Sequence, residues 1–167
     1  TWTKEVLREK KLRAVVVNSG CANCAVGNQG YLDAKETAKI ASNSLSIDLE
    51  SIAVASTGII GVELPMALMR KYIPKIELSK NDGPGFARSI LTTDKRTKEI
   101  AVSFDHEGTE VTVAGVAKGS GMIHPNMATM LSFITSDISI DETTLREVLT
   151  LSVNKSFNQI SVDGDQS

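Results

Sequence analysis

Short β-branched runs alternate with helical segments in the first part of the chain, and this order limits the possible folds more than any other feature. Residues 13–18 and 51–56 are apolar runs rich in Val, Ile and Ala, which predicts two buried strands. The stretch 33–45 between them carries small and apolar residues at helical spacing, with Asp33 as N-cap and Glu36 completing a capping box. The order strand, helix, strand predicts layers of sheet and helix packed on each other.

A hairpin pattern follows later in the chain. Residues 99–104 and 109–116 alternate apolar and polar side chains, and the polar stretch between them contains glycine, so we expect a β-hairpin. A further strand is predicted over 130–136, an amphipathic helix over 141–154 with its first residue as N-cap, and a strand beginning within 159–162. An early alternation followed by a hairpin predicts an α/β or α+β fold, a layered sandwich of mixed sheets and helices.

The balance of charged and apolar residues excludes several classes of protein. The chain carries 18 basic and 20 acidic residues, a formal net charge of −2, and its basic residues do not alternate with aromatic ones. We therefore expect no nucleic acid partner. Apolar runs are far shorter than the ~20 residues of a membrane helix, and no signal-like segment opens the chain, which predicts a cytoplasmic protein. With 167 residues and no low-complexity linker, we expect one domain, 1–167.

Cys21 and Cys24 form a Cys-x-x-Cys pair, which a redox centre or half of a zinc site would use. A zinc site needs further ligands, and the two histidines, His106 and His124, lack metal-ligand spacing. A redox pair normally lies at a helix N-terminus beside an aromatic residue or a proline, which this pair lacks. Since a single pair of this kind is weakly specific, we expect two ordinary thiols and no metal site.

The most unusual stretch of sequence is 114–131, in which glycines, a proline and Lys118 lie between two predicted strands. Glycine permits positive φ and a close approach of other groups to the backbone. The order of residues excludes a phosphate-binding loop, because Lys118 precedes Gly119 where that motif needs glycine, lysine and a hydroxyl residue in succession. The sequence also lacks a Gly-x-Gly-x-x-Gly after a strand, which argues against a dinucleotide site. From these residues alone, a functional loop and an ordinary connection both remain open.

Thr129 follows this loop and offers a hydroxyl that is a weak nucleophile until a base takes its proton. His106 and His124 do not complete a Ser/His/Asp arrangement. A threonine can instead use its own α-amine as the base if a cut in the backbone makes it N-terminal, since such an amine titrates near roughly 7.7 to 8. Nothing in composition or spacing demonstrates that cut.

The loop Lys118–Leu131, with the sequence KGSGMIHPNMATML, closely resembles the self-cleavage signature of the ornithine acetyltransferases, also called glutamate N-acetyltransferases. Four further blocks match this family in the same order along the chain: NSGCAN at 18–23, STGIIG at 56–61, LTTD at 91–94 and VDGD at 162–165. Five blocks in order are far more specific than a single motif. The resemblance covers nearly the whole chain, and members of the family extend beyond both ends of this sequence.

The resemblance implies a self-cleaving enzyme. Thr129 looks like the nucleophile, freed when its hydroxyl attacks the carbonyl of Ala128 and the Ala128–Thr129 bond breaks. Thr57 and Gly58 match the family's oxyanion-hole pair, a hydroxyl and a backbone N–H directed at charge that develops in the transition state. Without the resemblance, Thr57 and Gly58 would be interpreted as a turn that ends a strand. We therefore expect one partial catalytic domain, cut between residues 128 and 129.

The resemblance also implies a substrate site. Lys118 matches a substrate-binding position, and a matching threonine is expected in the Thr92–Thr93 pair, with Thr92 slightly favoured. Thr129 belongs to the same implied site. Each position has a plainer interpretation, with Lys118 as a lysine that protects the edge of a sheet and the two threonines as the end of a helix.

The implied reaction transfers the acetyl group of N-acetylornithine to the nucleophilic threonine and then to glutamate, in arginine biosynthesis. It needs no metal or organic cofactor, because the protein itself carries the acyl group. Acetyl-coenzyme A is a second donor for some members of the family, and we expect an oligomer of cleaved chain pairs. The alternatives are a self-processing aminopeptidase or amidohydrolase of the same fold, which transfers acyl groups to water, and a non-catalytic fragment.

Overall fold

The structure is a computed structural model that describes residues 1–9, 12–126 and 130–165. The chain forms two compact units, Thr1–Asp82 and Gly83–Ser167. Within the described residues, the first unit contains a parallel pair of strands with helices, and the second contains an antiparallel sheet of three strands with helices. This mixture confirms the predicted class of α/β or α+β with mixed sheets, whereas the single domain over 1–167 stays a prediction.

Two strands and three α-helices build the described part of the first unit. The strands are β1, Ala14–Cys21, and β2, Ile52–Ile59; the α-helices are α1, Trp2–Glu9, α2, Gly27–Leu45, and α3, Met66–Tyr72; short 3-10 helices cover Leu49–Ser51 and Ile73–Lys75. The strands pair in parallel from Ala14 opposite Ile52 to Cys21 opposite Ile59. Parallel neighbours require a crossover connection, and α2 supplies it.

The core of the first unit lies between α1, α2 and β2. Its buried apolar side chains are Trp2, Val6, Ala34, Ala38, Ala41, Ile52 and Ile73. Trp2 is the largest of them, and its indole Nε1 donates a hydrogen bond to the Ile52 carbonyl at 3.0 Å. Thr3 makes the next hydrogen bonds along β2: its Oγ1 donates to the Val54 carbonyl at 2.8 Å and accepts from the Val54 N–H at 3.1 Å. Helix α1 therefore supplies hydrogen-bond partners for backbone groups of β2.

Both predicted strands of the first unit are present, and both extend beyond their predicted ends. β1 continues through Ser19–Cys21, past the predicted end at residue 18, and β2 continues through Thr57–Ile59, past the predicted end at residue 56. Pairing of the two extensions satisfies the backbone groups of polar and glycine residues, which an apolar pattern does not reveal. The predicted burial is wrong for most positions, because only Ile52 and Ala53 of the two strands are buried.

Helix α2 begins at Gly27, earlier than predicted. The predicted N-cap role of Asp33 is wrong, because Asp33 is buried within the helix and its Oδ1 accepts a hydrogen bond from Gln29 Nε2 at 2.8 Å. The capping box is wrong as well, since Glu36 forms an ion pair with Arg70 at 2.6 Å. The first turn of α2 is polar and glycine-rich, so it lacks the apolar spacing on which the prediction depends.

The second unit is built on an antiparallel sheet in the order β3–β4–β5. Its strands are β3, Lys98–His106, β4, Thr109–Lys118, and β5, Leu131–Ser136; α4, Gly83–Ser89, precedes them, and α5, Glu142–Asn154, and a 3-10 helix, Phe157–Gln159, follow. The predicted hairpin is confirmed, with longer strands and a turn of Glu107 and Gly108. Both turn residues have positive φ, 52° and 81°, as in the tight turns that match the twist of hairpin strands.

Helix α5 is confirmed together with its predicted N-cap. Asp141 Oδ1 accepts a hydrogen bond from the Thr144 N–H at 3.0 Å. Its apolar face is exposed in this chain, with 50, 49 and 47 % exposure for Leu145, Val148 and Leu149. Helical periodicity therefore identifies the apolar face correctly, although nothing among the described residues covers that face fully.

The strand predicted to begin within 159–162 is wrong. The 3-10 helix Phe157–Gln159 and a bend occupy this region. The Val162 N–H donates to the Ile123 carbonyl at 2.9 Å, so this residue is bonded to the loop after β4 and not to a neighbouring strand. Among the described residues, no helix is long and apolar enough to cross a membrane.

Candidate active site

Thr57 and Gly58 lie in the last residues of β2, so their interpretation as a strand-ending turn is wrong. They pair in register with Ser19 and Gly20 of β1, which places the 18–23 and 56–61 blocks side by side. Gly58 has a φ of 135°, and a Cβ at this position would lie 2.3 Å from the carbonyl carbon of Gly20. Only glycine permits both this backbone conformation and this approach of the two strands.

The two blocks stay joined beyond the strand ends. The Ala22 N–H donates to the Ile59 carbonyl at 2.8 Å, and the Gly61 N–H donates to the Cys24 carbonyl at 2.9 Å. Asn18 Nδ2 donates to the carbonyl of the cysteine at position 21 at 2.8 Å. These bonds hold the chain around Thr57 and Gly58 in one arrangement, as a preorganised set of donors requires.

The two cysteines belong to the same region and are both free thiols. Cys21 Sγ lies 3.3 Å from the Val62 carbonyl oxygen and 3.5 Å from that of Glu63, so its thiol is a weak donor to the chain that follows β2. Cys24 is exposed. Among the described residues, no group of three or more His, Cys, Asp or Glu side chains could hold a metal ion.

Lys118 and Thr92, two predicted substrate-binding residues, are in direct contact. Lys118 is the last residue of β4 and is only 5 % exposed, and its Nζ donates to Thr92 Oγ1 at 2.7 Å. The interpretation of Lys118 as an edge lysine is wrong, because β4 is the central strand of the described sheet. A buried ammonium needs polar partners, since burial without them is costly.

Asp94 supplies the negative charge beneath this lysine. Its side chain is fully buried, Oδ2 lies 4.0 Å from Lys118 Nζ, and Oδ1 accepts hydrogen bonds from Lys98 Nζ and from the Gly119 N–H at 2.9 Å. Burial raises the pKa of Asp94, but the hydrogen bonds from Lys98 and Gly119 and the charges of both lysines outweigh it, so its pKa lies below the ordinary value. Asp94 is therefore an anion at neutral pH. The sequence offered this residue only as part of the 91–94 block.

Thr92 and Thr93 have different partners. Thr93 Oγ1 lies 2.8 Å from Ser120 Oγ in the glycine-rich loop, whereas Thr92 contacts Lys118. Helix α4 ends at Ser89, so the interpretation of the two threonines as a helix end is wrong. The contact with Lys118 supports the preference for Thr92 as the substrate-binding threonine.

The loop that follows Lys118 is held by a residue that sequence reasoning did not assign. Asp163 accepts hydrogen bonds from the backbone N–H groups of Met122, at 2.7 Å to Oδ2, and Ile123, at 3.1 Å to Oδ1. The bond from Met122 is the main cause that lowers the pKa of Asp163. The only signal in the sequence was the 162–165 block, which indicated a match to the family without a role.

The predicted nucleophile and cleavage pair, Thr129 and Ala128, lie outside the described residues. Thr129 stands two positions before Leu131, which pairs with Lys118 in the β4–β5 ladder. Lys118 and its partner Thr92 lie where the loop leaves β4, and Thr57 and Gly58 belong to the other compact unit.

Comparison with known proteins identifies the relatives of this chain. A family model described as the ArgJ family matches residues 1–167. Arginine biosynthesis bifunctional protein ArgJ of Oceanobacillus iheyensis is 48 % identical over 158 residues, which cover 95 % of this chain and 39 % of that protein. The protein of the same name from Listeria monocytogenes is 51 % identical over 157 residues, which cover 94 % of this chain and 39 % of that protein. This chain therefore spans about two fifths of the length of these relatives.

Two solved structures share the fold. Arginine biosynthesis bifunctional protein ArgJ of Bacillus halodurans gives a TM-score of 0.71 at 39 % identity, over 78 % of this chain and 68 % of that chain. Ornithine acetyltransferase of Mycobacterium tuberculosis, solved in complex with ornithine, gives 0.67 at 36 % identity, over 74 % of this chain and 67 % of that chain. The fold is thus shared with enzymes of arginine biosynthesis. More specifically, this chain belongs to the ArgJ family.

Proposed function

We propose that this chain is part of an acetyltransferase that moves the acetyl group of N-acetylornithine to glutamate in arginine biosynthesis. The observation that carries the proposal is the hydrogen bond from the buried Lys118 ammonium to Thr92, at the base of the loop that leads to Thr129. Membership of the ArgJ family and 36 % identity to an ornithine acetyltransferase of the same fold support this reaction.

Thr129 becomes the nucleophile when the chain cuts its own backbone. Its hydroxyl attacks the Ala128 carbonyl, and the peptide nitrogen leaves as the α-amine of Thr129. Water then hydrolyses the ester, so that Ala128 ends in a carboxylate and the hydroxyl is free. An ordinary α-amine has a pKa of roughly 7.7 to 8, so an amine of this kind can take the proton of the neighbouring hydroxyl at neutral pH.

Acetyl transfer then takes place in two half-reactions on Thr129. Its hydroxyl attacks the acetyl carbonyl of N-acetylornithine, the proton passes through the α-amine to the departing nitrogen, and ornithine leaves. The amine of glutamate then attacks the acetyl ester, and N-acetylglutamate leaves while Thr129 recovers its proton. Negative charge develops on the acetyl oxygen in both steps, and the Thr57 hydroxyl and the Gly58 N–H are the donors that would stabilise it.

Lys118 is suited to bind the carboxylate that donor and acceptor have in common. A charge-assisted hydrogen bond to a carboxylate is stronger than a neutral one, and a buried ammonium is screened little by water. Thr92 accepts one of the protons of this ammonium and so orients it, and Thr93 is the second candidate for contact with substrate. The route needs no metal or cofactor, because Thr129 carries the acetyl group. Acetyl-coenzyme A as a second donor, an oligomer of cleaved chain pairs and a cytoplasmic location stay predictions.

The test uses the full-length protein, with Thr129→Ala as the matched variant. Intact mass should show two pieces that meet at Ala128 and Thr129 for the unchanged protein and one uncut chain for the variant. N-acetylornithine and glutamate should yield N-acetylglutamate, whereas release of mainly free acetate would identify a hydrolase. An active protein that consists of a single uncut chain would contradict the proposal, and a cut protein without either activity would favour a non-catalytic role.

A further inference from the structure

We propose that Asp163 is a positioning residue for self-cleavage, which fixes the backbone of the loop leading to the scissile bond. The inference rests on the proposed cut between Ala128 and Thr129. Asp163 follows the proposed cut in sequence, whereas the loop that it binds precedes the cut.

The loop between β4 and the proposed cut has an unusual backbone. Gly119 has a φ of 150°, and Met122 and Asn126 have φ values of 51° and 62°. Residues other than glycine rarely adopt positive φ, and such conformations persist only where the surroundings hold them. A set of contacts must therefore maintain this stretch of backbone.

Asp163 supplies the central contacts of that set. Its two carboxylate oxygens accept hydrogen bonds from two consecutive N–H groups of the loop, at 2.7 Å from Met122 and 3.1 Å from Ile123. It also accepts from the Asp165 N–H at 3.2 Å, which keeps its own segment compact. A carboxylate that accepts several backbone N–H bonds is held in one orientation, and here it stabilises the left-handed conformation at Met122.

The surrounding loop is shaped to admit this carboxylate. A Cβ at Gly121 would lie 3.3 Å from Asp163 Oδ2, closer than most side chains approach their neighbours. At the start of the loop, Asp94 Oδ1 accepts from the Gly119 N–H at 2.9 Å. Two carboxylates thus hold the two ends of the segment 119–123.

Further bonds tie the loop to the chain around Asp163. The Val162 N–H donates to the Ile123 carbonyl at 2.9 Å, and the Asn126 N–H donates to the Asn158 carbonyl at 3.2 Å. Asn126 is two residues before Ala128 in sequence. Attack of a hydroxyl on the preceding carbonyl depends on near-attack geometry, so release of this loop should slow cleavage strongly.

The first test follows cleavage of the full-length chain made by cell-free translation, by intact mass against time. Asp163→Asn is expected to slow cleavage by about 10-fold or more, and Asp163→Ala further, because Asn keeps one acceptor oxygen. Asp137→Asn is the matched control, since Asp137 also accepts a backbone N–H, from Thr112 at 2.8 Å, but on β4. The control should be cut at the rate of the unchanged protein.

Two outcomes separate the possible failures. If the unchanged protein stays whole, or Thr129→Ala is cut, the proposed function fails and this inference fails with it. If the unchanged protein is cut, Thr129→Ala is not, and Asp163→Asn is cut at the full rate, only the inference is overturned. Thermal unfolding of Asp163→Asn in the Thr129→Ala background should match that of Thr129→Ala within a few degrees, which distinguishes lost positioning from lost folding.

A second measurement leaves position 163 unchanged and so does not depend on whether its variants fold. Amide hydrogen exchange of full-length Thr129→Ala should show protected N–H groups at Met122 and Ile123, because both are bonded to Asp163. Exchange of both amides at the rate of an open loop would overturn the inference.

Discussion

Gly20 and Gly58 face each other across the parallel β1–β2 ladder at a separation that leaves no room for a side chain on Gly58. A Cβ on Gly58 would lie 2.3 Å from the carbonyl carbon and 2.4 Å from the carbonyl oxygen of Gly20. This contact lies beside Thr57, so the close pairing of the two strands also sets the position of the proposed oxyanion-hole donors. The backbone geometry alone therefore requires glycine at position 58, independently of any catalytic role.

Gly58→Ala should destabilise the protein by more than about 2 kcal/mol, because it adds a methyl group to a closed contact and a φ of 135° disfavours alanine. Gly83→Ala is the matched control, since a Cβ there would have nothing within 4 Å and this residue begins α4. The control should change stability by less than about 1 kcal/mol. Urea unfolding of full-length Thr129→Ala with each change compares them, and equal stability of the two would contradict the close contact.

Lys118→Met should raise the KM for N-acetylornithine by about 10-fold or more, because loss of a charge-assisted hydrogen bond costs about 1.5–3 kcal/mol. Thr92→Val should raise KM less, through loss of the bond that orients the ammonium. Thr93→Val is the matched control, since Thr93 contacts Ser120. Steady-state kinetics of the cleaved full-length enzyme checks the order, and a larger effect of Thr93→Val than of Thr92→Val would reverse our preference between the two threonines.

The parts of the fold that sequence predicted are those with a clear period or a strong local signal. The hairpin, α5 and its Asp141 cap were predictable because alternation, helical spacing and capping chemistry act within a few residues. The start of α2 was not, because its first turn is polar. Periodicity also marked the apolar face of α5 without showing what covers it, and this chain leaves Leu145 half exposed.

Some residues of the candidate site were predictable from sequence in this way, and others were not. Family-like blocks indicated Lys118 and Thr92, and the structure brings them together across 26 residues of sequence. Nothing local in the sequence could show that Asp94 lies beneath Lys118 or that Asp163 accepts the Met122 N–H, 41 residues away. Contacts of this kind depend on tertiary folding. A sequence motif can therefore identify a family-like block, but it does not show which distant residue the block contacts.

The lowered pKa of Asp94 predicts a loss of stability in acid. A carboxyl whose pKa is lower in the folded than in the unfolded state stabilises the fold at a pH above its unfolded value, near 3.9. This stabilisation is lost as the pH falls through the lower folded value, because protonation weakens the bonds to Lys98 and Gly119. Asp94→Asn in full-length Thr129→Ala should therefore be less stable than its parent at neutral pH, and the gap should narrow below about pH 4. Urea unfolding across this range measures the gap, and a gap independent of pH would contradict the prediction.

The proposed cut falls between two paired strands, which predicts that the pieces stay together. The β4–β5 ladder runs from Val113 opposite Ser136 to Lys118 opposite Leu131, so its strands would belong to different pieces after cleavage. The bond between Val162 and Ile123 also crosses the cut. The two pieces should co-elute in native size exclusion and separate only in denaturant, and the unfolding midpoint should fall on dilution because unfolding now releases two chains. Uncut Thr129→Ala is the control, with a midpoint that does not depend on dilution in this way. Pieces that separate at micromolar concentration without denaturant would show that the ladder and loop contacts are too weak to hold the cleaved enzyme together.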